Sequence, residues 1–84
     1  MYEIIIERNA EKELNELNNP IFDRIADSIL SLSEIQRPEG CRKLKGLAND
    51  WRIRVGDYRI IYEIDDKEKL IKIMKVRHRK DVYK

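Results

Sequence analysis

The sequence predicts an α+β fold of order β-α-α-β-β-β, with two helices from the first half of the chain packed on one face of an antiparallel sheet. Three observations carry this expectation. After a short opening strand, apolar residues recur at helical spacing; beyond Trp51 they recur at every second position; and Pro38-Glu39-Gly40 separates the two regimes. Helices gathered before a run of strands belong on one side of an antiparallel sheet, because the run leaves no crossover segments to cover the other.

Tyr2 to Glu7 is apolar and rich in β-branched residues, and reads as a buried strand. Asn9 is expected to cap a first helix, with Glu11 and Glu13 near its positive end and Ala10, Leu14 and Leu17 on one side. Asn19-Pro20 marks a second start, Asn accepting from orphan N–H groups and Pro lacking the donor that would go unpaired. Ile21, Ile25, Ile29 and Leu32, joined by Phe22, Ala26 and Leu30, form the apolar stripe of that helix. Cys41 to Leu47 reads as a weak strand or extended segment closing on Gly46. Trp51, Ile53 and Val55 then alternate with Arg52 and Arg54, Gly56-Asp57 forms a two-residue hairpin loop, and Tyr58, Ile60, Tyr62 and Ile64 return on one face. Asp65 to Glu68 is a polar turn, Leu70 to Val76 a further strand, and Arg77 to Lys84 a basic tail in which Val82 and Tyr83 offer apolar anchors.

Eighty-four residues make a single domain over 1–84, one that buries about 60% of the surface its unfolded chain exposes. The apolar share of 42% against 40% charged, with the apolar residues in periodic clusters, predicts a folded rather than a disordered chain. Cys41 is the single cysteine, which excludes an intramolecular disulfide and any clustered-thiol metal site. No basic and apolar leader opens the chain and no run of 18 apolar residues follows, so neither export nor a membrane span is expected and a cytoplasmic setting is. The net charge of +2 conceals a polarised chain, since residues 1–40 carry −5 and residues 41–84 carry +7. Such asymmetry points to a polyanionic partner or to a solvated basic face.

The hairpin sharpens that choice. With Gly56 and Asp57 as the loop, Val55 opposes Tyr58, Arg54 opposes Arg59, Ile53 opposes Ile60 and Arg52 opposes Ile61. The apolar set then faces the helices and the arginines face away from them. Opposed like charges cost about 0.2–1 kcal/mol. Two readings accommodate the cost: the arginines extend into screened solvent and guard the sheet against edge pairing, or a polyanion lies across the bare face and neutralises them. Arginine suits the second role, since its planar fork engages two phosphate oxygens and stays charged.

Cleavage of RNA by its own 2′-hydroxyl needs a proton acceptor, stabilisation of the phosphorane and support for the leaving oxygen. Fixed arginines meet the second need. His78, with an ordinary pKa near neutrality, and Tyr83, if acidified by neighbouring arginines, are the candidate acceptors; a solvent-exposed His and an anchoring Tyr are the plain alternatives. The sequence offers no ligand cluster for a metal, no Gly-rich phosphate loop and no nucleophile–base pair around Cys41, so neither metal nor cofactor is expected.

Two blocks, LKGLANDWRIRVGDYRIIYEI and VRHRKDVYK, carry a family resemblance: a Lys-Leu-x-Gly approach, a basic-apolar-basic strand, Tyr-Arg opening the next strand, and a His-Arg-basic-acidic-Val-Tyr close. On these the chain resembles the RelE/ParE superfamily of bacterial and archaeal toxins, nearest its RelE branch, over nearly its whole length. The resemblance implies a RelE-like, microbial ribonuclease-like fold. It also implies a type II toxin that cuts mRNA on the ribosome without metal and is held inactive by a RelB-like antitoxin encoded beside it. Arg52 and Arg54 then stand at the family's basic pair, Arg59 at its strand-opening arginine and Tyr83 at its C-terminal tyrosine. Matching the strand end selects Arg79 as the arginine beside the final strand, while matching Val82-Tyr83 selects Arg77; Arg79 is preferred because the strand end is the more rigid landmark.

On this reading Arg54 and Arg59 grip the scissile phosphate and Arg79 stabilises the phosphorane. Tyr83 or His78 draws the 2′-hydroxyl proton, and Arg52, Lys43, Lys45, Arg77 and Lys80 hold flanking RNA. The alternatives are a ParE-like toxin that poisons a topoisomerase and a non-catalytic module that binds RNA or the ribosome.

Overall fold

The computed structural model describes residues 1–46 and 49–80. Its elements run β1 (Glu3–Ile6), α1 (Arg8–Asn15), α2 (Ile21–Ser31), β2 (Arg42–Lys43), β3 (Asp50–Val55), β4 (Tyr58–Asp65) and β5 (Leu70–His78). The strands form one five-stranded sheet in the order β1-β5-β4-β3-β2. The α+β class and the placement of both helices ahead of the main run of strands are as the periodicity predicts.

The sheet is mixed where a wholly antiparallel one was expected. β2, β3, β4 and β5 pair antiparallel, but β1 lies parallel to β5, with Ile4 opposite Ile71 and Ile6 opposite Ile73. A strand that leaves its sheet through helices on one face can rejoin it in either sense, and nothing in local periodicity records which.

The helix starts also differ from expectation, by one or two residues. The Glu7 N–H donates to the Ile73 carbonyl and so completes the parallel ladder, while its own carbonyl accepts from Glu11 N–H. The chain therefore turns from strand directly into helix: Glu7 is the cap residue, without a side-chain bond, and Asn9 lies inside the helix. In the second helix Pro20 takes the cap position and Ile21 is the first helical residue.

One core lies between sheet and helices. Ala10 and Leu14 of α1 with Ile25 and Ile29 of α2 meet Ile53, Val55, Ile60, Tyr62, Ile64, Ile71, Ile73 and Val76. Full burial of each such Ile or Val contributes about 1.5–3 kcal/mol. Tyr62 is also fully buried, and its hydroxyl donates to the Gln36 carbonyl at 2.8 Å, which satisfies the polar end of the largest core side chain. Burial there, reinforced by the neighbouring Cys41, pushes the phenol well above its ordinary pKa. Leu30, grouped with the stripe by spacing, is 63% exposed, because it sits about 100° around the helix from Ile29 and off the buried line of Ile25 and Ile29.

Candidate nucleic-acid interface

The hairpin fixes the first part of the site. Gly56 adopts φ +60°, the left-handed conformation that its tight loop requires and that a side chain would oppose. The register that follows pairs Val55 with Tyr58, Arg54 with Arg59, Ile53 with Ile60 and Arg52 with Ile61, as the sequence predicts. Directly opposed residues point to the same side of a sheet. Since Ile53, Val55 and Ile60 face the helices, Arg52, Arg54 and Arg59 share the other side.

A bulge in β5 extends this group. Tyr62 pairs with Ile73 and Ile61 with Lys75, so Met74 has no partner of its own. Strict alternation from the buried Ile71 and Ile73 would aim Lys75 and Arg77 at the helices. The extra residue reverses the parity: Val76 is buried against the core and Arg77 stands opposite Arg59. The result is a transverse row, Arg54, Arg59 and Arg77, across three adjacent strands. A second row beside it runs Arg42, Arg52, Ile61 and Lys75. Arg42 and Lys75 were missed from sequence: β2 is too short to declare a register, and Lys75 is on the wrong parity until the bulge is known.

The side chains of the first row differ in environment. Arg54 is exposed and Arg59 half-buried, with its Nε buried and lacking a hydrogen-bond partner among the described residues. Leaving such a donor unmet costs about 1–3 kcal/mol. Arg77 is held by α1, its Nε donating to Glu13 Oε2 at 2.7 Å while Glu13 Oε1 accepts the Val76 N–H at 2.9 Å. Arg52 is only 8% exposed. Beyond the pair Arg42–Arg52 no β2 residue covers β3, and a cleft of about 490 Å³ opens there, lined by Ser28, Ser31, Arg42, Arg52 and Arg54 among others.

The other predicted residues lie elsewhere. His78 opposes Tyr58, on the helix side of the sheet, and the two rings meet edge to face with centroids 5.3 Å apart. His78 therefore faces away from the arginine row. Its Nδ1 accepts the Lys80 N–H at 3.3 Å. Arg79 is exposed just past β5, its N–H bonded to the Asp57 carbonyl at 2.7 Å in the hairpin loop. Lys43 opposes Trp51, again on the helix side, and Lys45 and Lys80 are exposed in turns after β2 and β5. Tyr83 lies outside the described residues. Among the described residues no group of three or more His, Cys, Asp or Glu could hold a metal, and no helix is long and apolar enough to cross a membrane.

At the opposite end of β4, Asp66 accepts from the Tyr2 hydroxyl at 2.7 Å and from Arg37 at 2.8 Å, and the Arg37 guanidinium lies 5.0 Å from the Trp51 ring centroid. Arg37, and then the Tyr2 hydroxyl, hold the Asp66 carboxyl below the usual carboxylate range; the same contacts raise the Tyr2 phenol and Arg37. This clasp joins the residue before β1, the segment after α2 and the β4–β5 turn.

Residues 4–83 match the family model described as the ParE toxin of the type II toxin-antitoxin system parDE. Among solved structures the chain is similar to an archaeal RelE–RelB complex from Pyrococcus horikoshii, at 30% identity and a TM-score of 0.84, covering 96% of this chain and 98% of that one. It is similar to the RelB–RelE antitoxin–toxin complex from Methanococcus jannaschii at 29% identity and a TM-score of 0.78, covering 94% of each. The isolated E. coli RelE toxin shares the fold at 23% identity, with a TM-score of 0.82 over 99% of this chain and 92% of that one. No curated protein sequence matches significantly.

Proposed function

Since the chain belongs to the ParE toxin family of type II toxin–antitoxin systems, within the RelE/ParE superfamily and RelE-like in structure, we propose that this toxin is a ribosome-dependent endoribonuclease that cleaves mRNA by metal-independent attack of the 2′-hydroxyl. The single observation that supports this most is the register that sets Arg54, Arg59 and Arg77 in one row across three strands, with Arg77 tied at the sheet edge to Glu13 of α1. Charge accumulates on phosphorane oxygens in such a reaction, and preorganised guanidinium groups lower the energy of that state more than of the ground state. Arg54 and Arg59 hold the scissile phosphate; Arg77, opposite Arg59, replaces Arg79 as the third guanidinium of the reading. Tyr83 is the proton acceptor we favour, because His78 shares the face of Tyr58. Arg42 and Lys75 hold flanking nucleotides, while Arg52, only 8% exposed, offers them little surface. The solved relatives in complex with RelB support a RelB-like antitoxin as the natural partner.

A second reading, a topoisomerase poison, draws on the ParE description of the family model. One experiment separates the two. After a pulse of expression, mRNA ends are mapped and DNA breaks are scored. Cuts in phase with codons are expected, with the rate lowered about 10²–10³-fold by Arg59→Ala, as for loss of one oxyanion-stabilising donor. DNA breaks without mRNA cuts would establish the second reading, and an Arg59→Ala protein that cuts at the wild-type rate would remove the arginine row from the mechanism.

A further inference from the structure

We propose that Glu13 is the positioning residue for Arg77, an inference that rests on the nuclease reading for its activity test. β5 runs beyond the end of β1, so among the described residues the backbone edge at Val76 has no neighbouring strand. Glu13 fills that place from α1. Its Oε1 accepts the Val76 N–H at 2.9 Å and its Oε2 accepts Arg77 Nε at 2.7 Å, with the side chains of Glu13 and Arg77 only 22% and 29% exposed. A carboxylate tied at one oxygen to the main chain is fixed in direction, and so is the guanidinium bonded to its other oxygen.

The bond is made at Nε, the side of the guanidinium nearest the chain. The terminal Nη1 and Nη2 have no partner among the described residues, so an anion can approach them without displacing Glu13. Glu13 also places one negative charge beside a row of three positive ones, which relieves the repulsion that would otherwise turn Arg77 outward. The carboxylate thus aims the guanidinium in the way a supporting hydrogen bond fixes a catalytic group.

Simple electrostatics and positioning make opposite predictions for Glu13→Gln. Removing a negative charge beside the row raises the attraction for any polyanion; removing the anchor of Arg77 slows the chemistry. Single-turnover cleavage of ribosome-bound mRNA and affinity for polyuridylate are measured for wild type, Glu13→Gln, Arg77→Ala and the double variant, with thermal midpoints recorded for each. Positioning predicts that Glu13→Gln cleaves about 10- to 100-fold more slowly, the order expected for a displaced reacting group. It binds polyuridylate at least as tightly as wild type, melts within a few degrees of it, and adds nothing to the loss in Arg77→Ala. Wild-type or faster cleavage by Glu13→Gln, or losses that multiply in the double variant, overturns the inference. Growth arrest by each variant is scored alongside: arrest that falls in the same order without mRNA cuts would sink the nuclease reading and leave the positioning role standing.

Discussion

Asp66 shows how an exposed side chain is tuned by its neighbours. Its carboxylate accepts from Arg37 and from the Tyr2 hydroxyl, and its folded pKa lies below the unfolded one as a result. A depressed carboxylate contributes stability above the unfolded value, about 3.9 for Asp, and that contribution is lost as pH falls through the folded value. Asp66→Asn is expected to lower the melting midpoint by a few degrees at most at pH 7, since solvent screens the pair, and to narrow the gap to wild type below about pH 4. Midpoints followed by circular dichroism across pH 2–7 check this, and a gap that does not change with pH would remove the clasp from the acid response. Among the arginines, legibility tracked the certainty of register. Arg54 and Arg59 were placed by a two-residue loop that admits one alignment, whereas the side of the sheet that Arg77 takes depends on a bulge that leaves no compositional mark at Met74. Glu13 reads in sequence only as an acid near a helix start; its reach to Val76 and Arg77 across 63 and 64 positions is a product of the fold.

At the level of elements, the β3–β4 hairpin carries Arg54 and Arg59 of the proposed site. A methyl group built on Gly56 would meet the Arg24 side chain no closer than 3.6 Å, so space is not the obstacle to a larger residue. The left-handed backbone is. Gly56→Ala is therefore expected to destabilise by about 1–2 kcal/mol, and Gly56→Asn by less, since Asn tolerates that conformation. Chemical denaturation of the two variants tests it; equal losses would point to lost packing instead. The parallel pairing of β1, the two-residue β2 and the direct passage from strand to α1 were beyond local reading, because each is settled by where distant backbone groups find partners, as Glu7 N–H does at Ile73.

Taken whole, the molecule sorts its charge by half more cleanly than by face, since Asp50 and Glu63 share the far side of the sheet with the arginines. The −5 of residues 1–40 includes the acids of both helices, and the +7 of residues 41–84 includes the two transverse rows on the far side of the sheet. Binding of single-stranded RNA to such a face releases counterions, and log K falls with log salt by about 0.7 for each phosphate neutralised. On the nuclease proposal, Arg42→Ala and Lys75→Ala are each expected to flatten that slope by about 0.7 while leaving the positions of mRNA cleavage unchanged. Slopes equal to wild type would take the second row out of the contact. The bulge at Met74 has a wider meaning for such a surface. A strand of ordinary geometry binds both its ends to one phase, so that whatever the core demands near Ile71 dictates what solvent meets near Arg77. A one-residue slip cuts that tie, and the terminal stretch of the last strand is free to answer to what lies outside while the stretch before it answers to the interior.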